Sequence, residues 1–197
     1  MEFTYRKHAE SLYYSLCSNS YFQILEESVD VGNQKEAVIR YMDFSMVEAK
    51  KYGELYLPEN EYYGASTWGK PLGKELEIQK NDERKQFILG QMGKKSWEIY
   101  KSISGFMDDK SQQLLDKKSW YLSIVGVHPQ FQGQGLGVNL VKSILQKTDS
   151  LGIATYLETF TSRNISFYKR LNYQIAGCFR EPITNLEYQL MIRKVPV

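Results

Sequence analysis

Three glycines at alternate positions are the first residues in this chain whose type and spacing could do chemistry. They lie in the stretch Val127-His128-Pro129-Gln130-Phe131-Gln132-Gly133-Gln134-Gly135-Leu136-Gly137-Val138. A glycine-rich turn between a strand and a helix leaves backbone N–H groups without partners at the positive end of the helix dipole. Such donors bind phosphate groups. The pattern therefore predicts an anion site, suited to pyrophosphate, on the amides of residues 133–138.

Two common phosphate-binding patterns do not fit these glycines. A Walker loop needs a Lys directly after its last glycine, and no Lys follows Gly133, Gly135 or Gly137. The dinucleotide fingerprint G-x-G-x-x-G can start at Gly133 but fails at Val138. An enzyme that acts on nucleotide phosphates is therefore disfavoured, whereas a glycine turn of purely structural use stays open.

The spacing Gln132-x-x-Gly135-x-Gly137 resembles the acyl-CoA-binding motif Q/R-x-x-G-x-G/A of the GNAT superfamily of N-acetyltransferases. In that family the preceding strand ends in a Val-x-Pro-like sequence, which residues 127–129 match. Within the family, residues 120–122 and 156–159 look most like the branch that contains puromycin N-acetyltransferase. This narrower likeness says little about the substrate, because function depends on the site rather than on the fold.

A second segment resembles the same family independently. It reads Asn164-Ile165-Ser166-Phe167-Tyr168-Lys169-Arg170-Leu171-Asn172-Tyr173. In the family an Asn precedes a Phe-Tyr pair and a Leu-Gly-Phe-like turn. Here Asn172 replaces the glycine, and Asn also tolerates a left-handed backbone. Asn164 and Tyr168 are four residues apart, so a helix would direct both side chains to one side. The alternatives are that Asn164 caps the helix and that Tyr168 packs in the core.

The resemblance implies an α/β (α+β) fold, in which a mixed central sheet with a splayed pair of strands is flanked by helices. It also implies acetyl-CoA as the co-substrate. The strand 120–127 would carry a bulge that separates it from the next strand, and pantetheine would pair with its backbone in the gap. Gln132 would either contact a phosphate or hold the loop. The residues implied to bind acetyl-CoA are Val125, Val127, Gln132, Gly133, Gln134, Gly135, Leu136, Gly137, Val138 and Asn164.

The resemblance places Tyr168 near the thioester sulfur, where its hydroxyl would donate a proton to the leaving thiolate. We expect Glu158 to be the general base, because it lies near the end of a predicted strand where burial would raise its pKa towards neutrality. Glu158 could instead pair with a nearby Arg or Lys. Glu54, Glu61 and a chain of water molecules are the rival bases.

Histidines and cysteines do not point to another chemistry. The chain has two of each, and their spacing predicts no metal site. Neither Cys17 nor Cys178 adjoins a His in sequence, so a cysteine nucleophile is not expected. His128 precedes a proline in the turn and is expected to be structural.

The elements that must position these residues follow from hydrophobic periodicity and from capping residues. Strands are predicted over residues 54–57, 62–68, 120–127, 154–160, 173–179 and 186–193. Helices are predicted over residues 5–17 and 165–171, and between a cap at Asn33 and a cap at Gly53. Another helix is predicted from the glycine turn to about residue 150. Residues 70–118 are predicted to be helical in two pieces, interrupted around Gly90 and Gly93. The run 120–127 is almost entirely apolar, which is typical of a strand buried on both faces.

We interpret the chain as one domain, residues 1–197, with an acceptor-side half, 1–119, and an acetyl-CoA-binding half, 120–197. The strands of the first half carry aromatic side chains that could stack on an amine, although alternate residues of a strand would face the core. We expect at least one of Tyr56, Tyr63 and Trp68 to bind substrate in the cleft opposite Glu158.

Composition narrows the class of protein. The 197 residues are 42% hydrophobic and 24% charged, close to the averages of globular domains. No apolar run is long enough to span a membrane, and a formal charge of +2 does not indicate nucleic acid as a partner. The low cysteine count and an N-terminus unlike a signal peptide predict a cytoplasmic location.

The leading hypothesis is an acetyl-CoA-dependent N-acetyltransferase that moves an acetyl group to a primary amine by direct attack in a ternary complex. The acceptor would be a small molecule or a peptide. The alternative is a non-catalytic acyl-CoA-binding module that senses the cofactor or binds a partner. Neither hypothesis includes a prediction of the oligomeric state.

Overall fold

A mixed sheet with helices on both of its faces forms the protein, of which a computed structural model describes residues 2–183 and 185–195. The helices are α1 (Arg6–Leu16), α2 (Ser20–Glu27), α3 (Gln34–Tyr52), α4 (Lys74–Gln91), α5 (Lys94–Leu114), α6 (Leu136–Ser150) and α7 (Ile165–Arg170). The strands are β1 (Gly53–Tyr56), β2 (Gly64–Gly69), β3 (Trp120–Val127), β4 (Thr155–Thr159), β5 (Gln174–Arg180) and β6 (Glu187–Arg193). None of the described helices is long and apolar enough to cross a membrane.

The strands lie side by side in the order β1-β2-β3-β4-β6-β5. Strands β3 and β4 are parallel and are connected through α6, whereas the other neighbouring strands are antiparallel. A parallel pair requires such a crossover, because the chain must return to the same end of the sheet. The predicted α/β fold with a mixed sheet and flanking helices is therefore confirmed, and each strand begins and ends within two residues of its predicted bounds.

Strand β3 contains a bulge at Ser123. Thr67 of β2 pairs with Ile124, and the next residue, Trp68, pairs with Leu122, so Ser123 has no partner of its own on β2. A bulge of this kind bends its strand and increases the local twist. The bulge implied by the family resemblance is thus present in the middle of the strand.

Strands β3 and β4 separate after a short pairing. Trp120 pairs with Thr155 and Tyr121 pairs with Tyr156, and no later residue of β3 pairs with β4. The bend at the bulge accounts for this divergence. The predicted splayed pair of strands is confirmed, and residues 122–127 border a gap in the sheet.

The bulge also changes which side chains face which helices. Trp120 and Leu122 pack on the α6 side, and Val125 and Val127 pack there as well, although strict alternation would turn them to the other face. Ile124 packs instead with the helices of the opposite face. The prediction of a strand buried on both faces is wrong at this end, because Val125 and Val127 border the gap and are only half-buried.

Each face of the sheet has its own hydrophobic core. One core joins α1, α2 and α3 to parts of α4 and α5, and it contacts the sheet at Ala65 and Ile124. The other core joins α6 and α7 to the sheet and contains Trp68, Leu140 and Leu157. A molecule can therefore contact both faces only through the gap between β3 and β4 or around an edge of the sheet.

One helix, α2, has no counterpart among the predicted helices. Residues 18–20 were expected to end the first helix, and they do. Asn19 within this break also begins α2, since its side chain accepts a hydrogen bond from the backbone N–H of Tyr21 at 3.0 Å. The predicted cap of α3 is confirmed, because the Asn33 side chain accepts from the backbone N–H of Glu36 at 2.9 Å.

The break between α4 and α5 lies at Gly93, and Gly90 does not interrupt α4, which runs to Gln91. Gly93 has a φ of 97°, in the left-handed region that favours glycine. A side chain at Gly93 would also collide with Asp30. The turn therefore requires Gly93 for two reasons, whereas the exposed Gly90 is tolerated inside a helix.

A buried ion pair connects the last strand to both helices of the α6 side. Arg193, at the end of β6, donates to the two carboxylate oxygens of Asp149 on α6, at 2.5 and 2.7 Å. Its Nε donates to the carbonyl of Leu171, directly after α7, at 3.0 Å. The Arg193 side chain is only 7% exposed. One guanidinium group thus connects β6 to α6 and to the end of α7.

We predict that Arg193→Met lowers the free energy of unfolding by about 3 kcal/mol, because it leaves the Asp149 carboxylate and the Leu171 carbonyl without their donor. The matched control is Lys147→Met, which removes an exposed ion pair with Glu54 and should cost less than about 1 kcal/mol. Urea unfolding followed by circular dichroism measures both losses. Equal losses would contradict the connecting role of Arg193.

Candidate active site

The turn between β3 and α6 presents free backbone donors. The N–H groups of residues 133–137 donate to no residue that the structure describes, and these residues are exposed or half-buried. The amide of Val138 is already used, since it donates to the carbonyl of Gly135 at 3.1 Å. The geometry therefore offers an anion the amides of residues 133–137, at the N-terminus of a long helix.

The glycines of this turn are required for different reasons. Gly133 and Gly135 have φ angles of 81° and 78°, in the left-handed region. A Cβ at either position would meet nothing within 4 Å, so the backbone conformation rather than lack of space requires glycine. A Cβ at Gly137 would lie 3.2 Å from the ring of Phe167, so this glycine allows α6 to approach α7 closely.

Gln132 and His128 hold the turn in place. The Gln132 side-chain amide donates to the carbonyl of Val127, the last residue of β3, at 2.8 Å. The backbone N–H of His128 donates to the carbonyl of Tyr63 at 2.7 Å, and its Nδ1 accepts from the N–H of Gln130 at 3.3 Å. These contacts give His128 a structural role in the turn, as expected from the sequence. Of the two roles expected for Gln132, the geometry shows the loop-holding one.

Backbone groups of β3 are directed into the gap. The N–H of His128 points towards β2, where it meets the carbonyl of Tyr63. Because successive residues of a strand direct their backbone groups to opposite sides, those of Val125 and Val127 are directed towards the gap. An extended molecule with amide groups could pair with this edge of the strand.

Glu158 lies on β4, just beyond the point at which β3 separates from it. The Tyr121 hydroxyl donates to its Oε2 at 3.1 Å, whereas its Oε1 is buried and has no hydrogen-bond partner among the described residues. Burial raises the pKa of Glu158 to about 7; the hydrogen bond from Tyr121 lowers the pKa and the charge of Asp108 raises it, both by less. A carboxyl with this pKa can accept and release protons near neutral pH.

Sequence reasoning missed the side chains that surround Glu158. Tyr121 and Tyr156 stack with their ring centroids 4.8 Å apart. Burial, and after it the charge of Glu158, raises the pKa values of both hydroxyls, and Asp108 of α5 also contributes. Tyr188 of β6 is 0% exposed, and its hydroxyl has no partner among the described residues. Strand alternation could have placed Tyr156 beside Glu158, but nothing in the sequence placed α5 over them.

The rival bases are less suitable. Glu54 lies on the α6 side and accepts hydrogen bonds from Lys147, at 2.7 Å, and from Lys70. Burial alone would raise the pKa of Glu54, but the two lysines outweigh burial and lower it. Glu61 is exposed in the loop before β2. Within residues 2–183 and 185–195, no group of three or more His, Cys, Asp or Glu residues could hold a metal ion.

Asn164 directly precedes α7, and Tyr168 lies within that helix. The Tyr168 ring is 7% exposed and packs against the rings of Phe167 and Tyr173. Burial raises the pKa of Tyr168 to about 12, so its hydroxyl keeps its proton at neutral pH. The Asn164 side chain makes no capping hydrogen bond, which removes the capping alternative. Asn172 has a φ of 67°, the left-handed conformation expected where the family has glycine.

Tyr56, Tyr63 and Trp68 do not lie opposite Glu158. All three belong to the core on the α6 side, with Tyr56 at its border. Trp68 is 1% exposed, and its Nε1 donates to the Ser66 hydroxyl at 3.1 Å. The expectation fails because β2 turns Ser66 and Trp68 towards α6, which is the face of the sheet opposite to Glu158.

Solved structures share this architecture over nearly the whole chain. One is described as histone acetyltransferase HPA2 and related acetyltransferase from Corynebacterium glutamicum, with a TM-score of 0.67 at 16% identity, covering 98% of this chain and 92% of that one. Arylalkylamine N-acetyltransferase 2 from Aedes aegypti gives 0.60 at 13% identity, covering 99% and 98%. A polyamine N-acetyltransferase from Drosophila melanogaster gives 0.56 at 17% identity, covering 96% of each chain. At these identities the likeness shows the fold.

The sequence itself shows the family. A sequence model of the family described as Acetyltransferase (GNAT) matches residues 54–173, from β1 to the residue before β5. The matched region contains the bulged strand, the glycine turn, and both Glu158 and Tyr168. The chain therefore belongs to the GNAT family of acetyltransferases.

Proposed function

We propose that this protein is an acetyl-CoA-dependent N-acetyltransferase that acetylates a primary amine by direct attack in a ternary complex. The observation that carries the proposal is the gap between β3 and β4. At its open end lie the free amides of residues 133–137, and beside it lies the unpartnered Oε1 of Glu158. An anion site and a proton acceptor with a pKa of about 7 thus border one opening in the sheet.

In the proposed complex, the amides of residues 133–137 bind the pyrophosphate of acetyl-CoA. Gln132 keeps these amides in position through its hydrogen bond to Val127. Pantetheine, which carries amide groups, extends into the gap and pairs with the backbone at Val125 and Val127. The side chain of Asn164 makes no capping hydrogen bond to α7, so it is available as a further polar contact to the cofactor.

The chemistry is a direct transfer. The amine nitrogen forms a bond to the thioester carbon and the carbon–sulfur bond breaks. Glu158 accepts the proton that the amine loses, and Tyr168 donates a proton to the departing thiolate. Glu158 and Tyr168 lie on opposite faces of the sheet. A thioester bound in the gap would be accessible to side chains of both faces. This supports the assignment of the proton transfer from the amine to Glu158 and of the proton transfer to the thiolate to Tyr168.

The acceptor proposed is a small amine, and the solved structures named for arylalkylamines and polyamines support this class. Asp108 of α5, in the first half of the chain, lies close enough to Glu158 to raise its pKa. We therefore keep residues 1–119 as the acceptor-side half and 120–197 as the cofactor half. Two free cysteines fit a reducing cytoplasm, although they do not require it.

Turnover separates this proposal from a non-catalytic acyl-CoA-binding module. An enzyme should release free thiol from acetyl-CoA when an amine is supplied, with a matching amount of acetylated amine. A module would bind acetyl-CoA and release none. A screen across polyamines, arylalkylamines, amino acids and peptides, followed by mass spectrometry of the products, makes the distinction.

We predict that Gly135→Ala raises the KM for acetyl-CoA strongly, because the left-handed backbone that directs the loop amides becomes strained. Gly152→Ala is the matched control, since Gly152 also has a positive φ, 67°, with nothing within 4 Å of its Cβ position. Both variants should lose about 1 kcal/mol of stability. If the KM for acetyl-CoA changes equally in both, the loop is not the cofactor site.

We predict that kcat/KM rises with pH and levels off above about 7, the pKa of Glu158, because only the carboxylate accepts a proton. Glu158→Gln should lower kcat by about 10²–10⁴-fold and abolish this rise. Because the pKa of Glu158 is higher in the folded than in the unfolded protein, the free energy of unfolding falls as pH rises to about 7 and stays low above that pH. Glu158→Gln removes this loss and should therefore raise the free energy of unfolding above pH 7. Glu54→Gln is the control and should keep the profile. An unchanged profile in Glu158→Gln would assign the base elsewhere.

We predict that Tyr168→Phe lowers kcat more than it changes KM, because only a hydroxyl is removed and its proton is needed as the thiolate forms. The loss expected for one general acid is about 10²–10⁴-fold. Tyr173→Phe, which removes another buried hydroxyl of the same core, is the control and should affect stability alone. Single-turnover measurements isolate the chemical step. A wild-type rate for that step would leave Tyr168 a packing residue.

A further inference from the structure

The side chains around Glu158 line a cleft under α5. Tyr121 and Tyr156 are half-buried, and Asp108 of α5 is exposed. Removal from bulk water is nevertheless the leading cause that raises the pKa values of all three. A side chain that contacts solvent while being surrounded by protein lies on a concave surface. Ligand sites of proteins are surfaces of this kind.

Helix α5 forms the outer wall of this cleft. Ser111 is buried, and it lies close enough to the Tyr156 hydroxyl to lower the pKa of that group. Asp108 is one turn earlier, on the same side of the helix, and therefore also faces the sheet. The ring of Phe106 contacts the ring of Tyr188 at a centroid distance of 6.4 Å. Ser111 is buried on this side of α5, and the charge of Asp108 acts on Tyr121, Tyr156 and Glu158. The Asp108 carboxylate therefore lies over the cleft.

Neither Asp108 nor Glu158 forms an ion pair with a residue that the structure describes. The cations whose charges act on Asp108 are Lys80 and Arg84 of α4. Both are engaged by glutamates, Lys80 within α4 at 2.8 Å and Arg84 with α3. Lys110 of α5 lies over two phenylalanine rings, at 5.5 and 5.8 Å. The cleft therefore carries two carboxylates with no bound counter-ion.

Two buried polar atoms show where a ligand nitrogen would bind. The Oε1 of Glu158 and the hydroxyl of Tyr188 are buried and unpartnered among the described residues. After burial, the charges of Glu158, Glu181 and Asp108 raise the pKa of Tyr188, which places its hydroxyl among these carboxylates. Buried polar atoms without partners are costly. The nitrogen of a neutral primary amine has two N–H donors and could serve both oxygens.

We propose that the acceptor is a diamine or polyamine: the reacting nitrogen binds at Glu158 and Tyr188, and a second ammonium group of the same molecule binds at Asp108. This inference rests on the acetyltransferase function proposed above. A monoamine would leave Asp108 without a counter-ion in a partly desolvated site, whereas a second ammonium would neutralise it. The faces of Tyr121 and Tyr156 would contact the cationic chain between the two nitrogens.

The test compares putrescine with butylamine and cadaverine with pentylamine, which differ only in the second amino group. At about pH 8, where Glu158 is ionised, kcat/KM for each diamine should exceed that for its monoamine by about tenfold or more. Asp108→Asn should abolish this preference without changing the KM for acetyl-CoA. Asp109→Asn is the matched control, because it removes the same charge from the neighbouring exposed residue, and it should keep the preference.

Three results would each overturn the proposal. The first is an equal kcat/KM for diamines and monoamines, and the second is a kcat/KM for phenethylamine above that for the diamines. The third is an equal loss of the diamine preference in Asp108→Asn and Asp109→Asn. Calorimetric binding of putrescine with saturating coenzyme A tests the pocket without turnover. If putrescine binds in an Asp108-dependent manner but no amine is acetylated, the pocket stands and the enzymatic function fails. If monoamines and diamines are acetylated alike, the function stands and the second site fails. Neither binding nor turnover would overturn both.

Discussion

The inserted residue at Ser123 is the constraint on which the whole site depends. It bends β3, so that pairing with β4 ends after Tyr121, and it turns Val125 and Val127 to the α6 side. A regular strand would continue to pair with β4 and would close the sheet beside Glu158. The opening exists because one residue of β3 has no partner on β2. The proposed contacts of pantetheine with Val125 and Val127 depend on that irregularity.

Carboxylates on the two faces of the sheet near the site differ in their ionic partners. On the α6 side, Glu54 is paired with lysines and Asp149 with Arg193, so the carboxylates there are satisfied. On the α5 side, Glu158 and Asp108 have no cationic partner among the described residues. The pKa of Glu54 is accordingly lowered and that of Glu158 raised to about 7. Residues of one type therefore differ in chemistry because of their partners rather than their burial alone.

The sequence predicted the parts of the site that depend on local rules. The glycine turn before α6, the order of the strands along the chain, and the position of Glu158 on β4 all follow from spacing and periodicity. Prediction from the sequence failed for side chains whose position depends on packing between distant elements. Trp68 was expected in the cleft, but which face of β2 it occupies depends on where α6 packs. Asp108 lay within a polar helix whose position over the sheet no local pattern reveals.

The parts of the chain on the two sides of the site also differ in how well they tolerate substitutions. Gly133 and Gly135 have left-handed backbones, so most side chains at these two positions would introduce strain. The wall of the opposite cleft is built from α5, where an exposed residue such as Asp108 can be replaced with little cost to folding. Natural selection can therefore exchange one acceptor for another by altering the surface of a helix. In the proposed enzyme, the turn that binds the acetyl donor would stay the same.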